Sequence, residues 1–323
     1  MFTIRDNSIL GFFKDFISVV QRARAIKIDV VFDLEFFSRF TAIVSYLTGA
    51  PKRVGFYRFN YEGLYRGGLI THKIQYNPHM HMSRTYLSMA QVLKQARKLT
   101  PELDQMVDDR DIMPLQFTPS RQQRDKIISK LNQLGVNENT SIFLINPGEG
   151  NIPLREWPAD RFSDIAKRIL EFDSNYVVLV GTASCSIKAK KLLQLDMNNK
   201  RFIDLCGDTS TIELLTLFSI SNALITNDSG LAHLASLTNI KQFILFGPES
   251  PKIFSPLGNN IKIFYSNLPC SPCLSVFNHR TSRCRDNKCM QRILSEDVYE
   301  ALAGEITALQ QERKLNVESV PQK

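Results

Sequence analysis

Short apolar runs separated by helical stretches constrain this chain more than anything else in its sequence. Asp29 to Phe32, Ile142 to Ile145, Tyr176 to Val180, Ala223 to Thr226, Gln242 to Phe246 and Ile261 to Tyr265 are rich in Ile, Val and Phe. Each has the length of a strand buried on both faces. Between most of them the apolar positions fall at helical spacing. Asp160 to Phe172 follows Pro158, and Thr211 to Ile220 begins at a cap, Ser210 or Thr211, with Glu213 just after it. Strands that alternate with helices build βαβ units, so the pattern predicts parallel sheets. A chain of 323 residues accommodates two such domains.

The expected boundary is the stretch Thr100 to Thr118. There Pro101, Pro114 and the acids Asp104, Asp108, Asp109 and Asp111 break the periodicity. This predicts a first domain over residues 1–118 and a second over 119–309, opened by a helix from about Pro119 to Leu134. A final helix over Ser295 to Leu309 precedes a polar tail, 310–323, expected to be disordered.

No apolar run reaches the roughly 18–20 residues that a membrane span needs. The start, Met1 to Phe16, carries charges within its apolar stretch and reads as neither a span nor a signal peptide. The expected location is cytoplasmic. A net charge of +8 suits nucleic acid, an anionic membrane surface or a phosphorylated substrate. The basic residues are dispersed, with Lys52, Arg53, Arg58, Arg66 and Lys73 the most suggestive loose group. No nucleic-acid-binding signature accompanies them, so nucleic acid is not an expected partner. No G-x-G-x-x-G opens a strand–helix unit, which sets aside a nicotinamide dehydrogenase.

The segment richest in chemistry is Leu224 to Ser236. An apolar strand ends in Thr226 and Asn227; Asp228, Ser229 and Gly230 form a turn; a helix starts near Leu231. Free backbone N–H groups, a glycine that permits close approach and a helix N-terminus then meet at one point, an arrangement suited to a diphosphate. His233, in the first helical turn, reaches toward the same anion. The residues alone leave a second reading open, in which Asp228 only caps the helix and His233 lies on the surface.

Asp228-Ser229-Gly230-Leu231-Ala232-His233 resembles the signature of glycosyltransferase family 9, the ADP-heptose:lipopolysaccharide heptosyltransferases. Four further segments resemble that family in the same order. They are Asp33-Leu34-Glu35 to Gly49 with Arg53-Val54-Gly55-Phe56, then Asn146-Pro147-Gly148-Glu149-Gly150, then Arg155-Glu156-Trp157-Pro158, and finally Phe246-Gly247-Pro248. The resemblance runs to about residue 305. It implies a GT-B architecture, two Rossmann-like domains facing across a cleft with the donor on the second, and here an incomplete first domain. It also implies inverting transfer without a bound metal. Carried over, Ser229, Gly230 and His233 would hold the diphosphate, Asp228 would frame the site, Gly148, Gly150 and Leu231 would belong to the same donor-binding set, and Arg155 would stabilise the leaving group. Taken by themselves, Arg155 is an exposed loop cation and the two glycines are turn residues.

Two departures from the family pattern stand out. Members begin with a strand and a Gly-Asp loop whose Asp is taken as the base. Here Met1 to Ile28 precede the strand at Asp29, and Met1 to Lys27 read as the short strand and helix just before it. The catalytic base is therefore unassigned, with Asp6 the stand-in of an alternative register, and the chain reads as N-terminally truncated. After the Tyr176 to Gly181 strand, where many relatives place a carboxylate on the ribose, this chain has Thr182, Ala183, Ser184 and Cys185.

Four of the six cysteines cluster. Cys270 and Cys273 have C-x-x-C spacing, and Cys284 and Cys289 complete a candidate structural zinc site, with free or paired thiols as the alternative. Cys185 and Cys206 read as packing residues. His79 and His81 open a helix that continues to Val92; at i and i+2 they do not share a helix face as a metal pair would.

The expected function is thus an inverting glycosyltransferase. It moves a sugar, heptose by resemblance, from an ADP-heptose-like nucleotide donor to a lipid-linked, lipopolysaccharide core-type acceptor at the inner membrane surface. The alternative is a non-catalytic nucleotide-sugar-binding or scaffold homologue that lacks the base.

Overall fold

A computed structural model describes residues 3–5, 7–36, 38–58, 67–94, 107, 112–148, 150–185 and 199–318. The chain divides into two compact units. One is Met1–Met113 with Ser275–Thr281; the other is Pro114–Leu274 with Ser282–Lys323.

The first unit holds a three-stranded parallel sheet in the order β1-β2-β3: β1 (Val30–Asp33), β2 (Lys52–Arg58) and β3 (His72–Gln75). Its helices are α1 (Ile9–Ile26), α2 (Arg39–Leu47) and α3 (Met82–Val92). Hydroxyl caps start the first two: Ser8 Oγ accepts from Gly11 N at 3.2 Å and Ser38 Oγ from Thr41 N at 3.4 Å. Just beyond α2, Gly49 takes φ +81°, a left-handed conformation that glycine adopts without penalty. Phe36, Phe56 and Tyr76 pack ring on ring at 4.6 to 6.2 Å. Phe277 joins them, 5.7 Å from Tyr76, which ties the late segment Ser275–Thr281 to this unit.

The second unit is built on β4 (Ser141–Asn146), β5 (Asn175–Leu179), β6 (Phe202–Asp204), β7 (Ala223–Asn227), β8 (Lys241–Phe246) and β9 (Ile261–Tyr265). They form one parallel sheet in the order β6-β5-β4-β7-β8-β9. The chain steps outward from β4 to β6, then returns to lay β7 along the other side of β4. Successive side chains of a strand point to opposite faces. Phe143 and Ile145 accordingly join a core with α5 (Ala159–Leu170) and α10 (Ser295–Glu318) through Phe162, Ile165, Val298 and Leu302. Ile142 and Leu144 join the opposite core with α4 (Arg121–Gln133) and α6 (Thr211–Ile220) through Ile127, Leu131, Leu215 and Phe218. Covering both faces is what makes these strands continuous apolar runs. Helices α7 (Gly230–Ala235), α8 (Pro251–Phe254) and α9 (Lys288–Gln291) are short.

Three strands, β2, β3 and β6, do not show as apolar runs. Lys52, Arg53 and Arg58 interrupt β2, His72 and Lys73 open β3, and β6 has only three residues. The final helix also differs from expectation. It continues through Glu318 where a disordered tail from Gln310 was predicted. Gln310 to Glu318 holds no Gly or Pro to stop it.

Candidate functional site

Five of the residues singled out in the sequence come together in the second unit. Gly148 and Gly150, beyond β4, and Ser229, Gly230 and Leu231, beyond β7, line one cavity of about 400 Å³. Asn146, Gly181, Thr182, Cys185, Gly207, Thr209, Thr211, Leu214 and Leu234 complete its wall. The cavity opens at the carboxyl ends of β4 and β7, where the strand order reverses. Loops leaving that point part in opposite directions and open a crevice, the usual ligand site of an open α/β sheet.

Backbone space shapes the wall. A Cβ on Gly148 would meet Cys185 Sγ at 2.5 Å, and one on Gly181 would meet it at 2.8 Å. The Cys185 thiol thus fills the space these two glycines vacate. Gly207 has φ +78°, and a Cβ there would strike the Ala183 backbone at 2.9 Å. Gly230 differs: it is exposed, and a Cβ there would meet nothing within 4 Å.

Asparagines tie the loops together. Asn146 Oδ1 accepts from Gly148 N at 2.7 Å. Buried Asn227 accepts from Trp157 N at 3.2 Å and donates to the carbonyls of Pro147 and Gly148 at 3.3 and 3.2 Å. Asn287 Nδ2 donates to Glu156 O at 2.7 Å and bears on the turn Pro153–Arg155. Trp157 itself is buried, with its Nε1 on Ile293 O at 2.9 Å and its ring edge-on to Phe162.

Arg155 and Asp228 meet each other rather than the cavity wall. Arg155 Nε lies 3.3 Å from Asp228 Oδ2, and Arg155 Nη1 donates to Asp228 O at 3.3 Å. On its other side Arg155 Nη2 lies 2.9 Å from Glu249 Oε1. The side chains of Arg155, Asp228 and Glu249 are 14%, 7% and 1% exposed. The exposed loop cation of the sequence reading is thus a nearly buried one shared by two carboxylates. Glu249, Asn227 and Asn287 are absent from the sequence-derived set. Glu249 carries a signal as an acid directly after the flagged Phe246-Gly247-Pro248 strand end, and Asn227 as the strand residue directly before Asp228.

Ser229 precedes α7 as its cap residue without a side-chain capping bond; its Oγ lies 3.3 Å from Thr226 Oγ1. His233 is exposed and is not among the lining residues of the cavity. Of the other expected residues, Asp6, Arg66 and Glu149, with Asp104, Asp108, Asp109 and Asp111, lie outside the described residues. Arg53 donates to Leu69 O at 2.6 Å, and Lys73 sits 4.1 Å over the Tyr57 ring, so these two of the loose basic group have local partners. His81 caps α3, its Nδ1 accepting from Ser83 N at 3.3 Å.

The cysteines correct an expectation. Among the described residues no group of three or more His, Cys, Asp or Glu side chains is placed to hold a metal ion. Cys270, Cys273, Cys284 and Cys289 therefore do not form the expected zinc site. Packing explains this. Cys289 is buried against Gly247, and burial pushes its thiol pKa up. Exposed Cys284 turns its Sγ to Asp286 O at 3.1 Å. The segment instead braces the β8 end: Cys273 N and Leu274 N donate to Pro248 O at 2.9 and 2.8 Å, and Ser271 Oγ donates to Gly247 O.

This fold and cavity define an α/β protein of the open parallel-sheet class, with its candidate ligand site at the switch point of the second sheet. The model of glycosyltransferase family 9 (heptosyltransferase) matches residues 17–282, and the chain belongs to that family. Lipooligosaccharide heptosyltransferase 2 of Campylobacter jejuni subsp. jejuni serotype O:6 is 28% identical over 175 residues, 53% of this chain and 53% of that protein. The chain spans about half the length of that curated relative. The structure of E. coli ADP-heptose lipopolysaccharide heptosyltransferase II superposes with a TM-score of 0.71 at 21% identity, covering 94% of this chain and 82% of that one. E. coli heptosyltransferase WaaC, solved with ADP, gives 0.58 at 14% identity, covering 93% and 79%. At these identities the two structures establish the shared fold. No helix among the described residues is long and apolar enough to cross a membrane.

Proposed function

We propose that the second unit binds a nucleoside-diphosphate sugar at the β4/β7 switch point and that the chain works as a glycosyltransferase. In this reading it moves a heptose, with inversion, from an ADP-heptose-like donor to a lipopolysaccharide core-type acceptor met at the inner membrane surface. One observation carries the reading: two turns far apart in sequence, Gly148 to Gly150 and Ser229 to Leu231, face one cavity. A relative of this fold solved with ADP supports the choice of nucleotide.

Glycosyl transfer expels a nucleoside diphosphate, and fixed dipoles aimed at its developing charge lower the barrier. Glycine turns bring backbone N–H groups close to such an anion. We assign the diphosphate to the Gly148, Gly150, Ser229 and Gly230 side of the cavity, and the nucleoside to the side lined by Thr182, Thr209, Thr211 and Leu214. Arg155 shares its charge with Asp228 and Glu249. Its contribution to the leaving group is therefore secondary to its hold on the turn that carries Ser229. His233, exposed one helical turn on, is assigned to the outer rim.

Calorimetry with ADP, ADP-heptose and UDP-sugars tests this, using the natural chain and Gly230→Asp. The substitution sets a negative charge at a place where a Cβ meets nothing. Thermal stability should hold while ADP affinity falls at least tenfold, about 1.4 kcal/mol. Equal affinity in both proteins would remove the diphosphate from this turn. Donor binding without turnover would favour the non-catalytic alternative.

A further inference from the structure

We propose that Glu249 is a positioning residue of the donor site, acting through Arg155. The inference rests on the donor reading above and adds a residue to it. The chain of contacts is continuous. Glu249 Oε1 holds Arg155 Nη2 at 2.9 Å, and Arg155 in turn grips Asp228 twice, at its carboxylate and at its backbone carbonyl, each at 3.3 Å. Asp228 is followed directly by Ser229 and Gly230, which line the cavity. Glu249 is nine-tenths and more buried and lines no part of that cavity. It acts on the ligand only through what it holds.

Both ends of this chain are anchored. Gly247, two residues before Glu249, leaves no room for a Cβ, which would run into the Met290 side chain. Pro248 O accepts from Cys273 N and Leu274 N, so the cysteine-rich segment clamps the loop that presents the carboxylate. On the other side Arg155 ends the turn Pro153–Arg155, which Asn287 secures through Glu156 O. A planar guanidinium between two carboxylates has its orientation set from both sides, which a lysine ammonium could not reproduce. Residues beyond β4, β7 and β8 thereby meet at one buried point.

This role predicts an effect opposite in sign to that of simple charge. Removing a nearby carboxylate should tighten anion binding if Glu249 acts only by repulsion. If it positions Arg155, removal should loosen the Asp228-Ser229-Gly230 turn and weaken binding. The test is a double-substitution cycle on the full chain, read by calorimetry with ADP, with circular dichroism as a check on folding. Glu249→Gln should raise the ADP Kd about tenfold or more, the scale expected for breaking a buried ion pair at one partner. In an Arg155→Ala background the same change should have no further effect. Arg155→Lys, which keeps the charge but not the fork, should weaken ADP as Glu249→Gln does.

Tighter or unchanged ADP binding by Glu249→Gln would overturn the proposal. So would an equal loss in the Arg155→Ala background, or natural affinity in Arg155→Lys. A natural chain that binds no ADP would instead overturn the donor reading, and this inference with it.

Discussion

The two units are built from the same kind of unit, a parallel strand followed by a helix, yet they bury their apolar residues to different degrees. In the second unit every residue of β4 and β7 is buried, and helices cover the sheet on both faces. In the first, β1 exposes Phe32, and helix α1 presents Leu10 at 83% and Phe13 at 55% exposure, with Ile9 and Ile17 beside them. Phe40, Ile43 and Tyr46 of α2 are also exposed. Apolar content is therefore no measure of burial. A strand or helix face is buried only where a second layer meets it; in the second unit that layer covers β4 and β7 on both faces, though no residue of the edge strand β9 is buried.

This contrast can be tested by how much each unit loses when a large side chain is cut back. The largest loss is expected at Trp157. Its ring is fully buried against Phe162 and its Nε1 holds Ile293 O, so Trp157→Ala should cost about 3–5 kcal/mol in denaturant unfolding of the second unit. A loss under 1 kcal/mol would mean that this core is looser than its packing.

A smaller effect is expected at the start of α6. Ser210 and Glu213 form a capping box, and Glu213 also pairs with Lys126 at 2.8 Å. Ser210→Ala should cost about 1 kcal/mol. The Lys126 ammonium, with Ser210, pulls the Glu213 pKa from 4.5 down to about 2. A carboxylate depressed in the folded state stabilises fully above its unfolded pKa. That contribution should be lost as pH falls from about 4.5 toward about 2. Thermal melts of the natural chain and Glu213→Gln should therefore converge across this window; parallel curves would contradict it.

The smallest effect belongs to the first unit. Phe13→Ser with Ile17→Ser should change stability by no more than about 0.5 kcal/mol each, as exposed positions do. A cost above 1 kcal/mol would show that these side chains are covered in solution, and would erase the contrast between the units.

How far the sequence goes can be judged residue by residue. The strands β4, β5, β7 and β8 are visible because both their faces are covered, while β9, a half-buried edge strand interrupted by Lys262, shows through its remaining Ile, Phe and Tyr. The start of α6 is visible because Ser210 and Glu213 cap locally. β2 is legible only through family resemblance, since Lys52, Arg53 and Arg58 hide its pattern, and β3 and β6 are too short or too polar to show. The turns Gly148 to Gly150 and Ser229 to Leu231 are each legible as glycine turns.

The sequence by itself determined the class of fold, the presence of glycine turns after β4 and β7, and the family. Those features rest on interactions between residues close along the chain, or on a pattern repeated in order. Tertiary structure alone decided that these two turns share a cavity, that the Arg155 side chain is buried between Asp228 and Glu249, and that Ser271, Cys273 and Leu274 brace the loop beyond β8. Each of these depends on which distant residue a side chain meets, and sheet order, not spacing, sets that. Arg155 and Glu249 lie on different βα units and become neighbours because β7 returns to the side of β4, with β8 next to it.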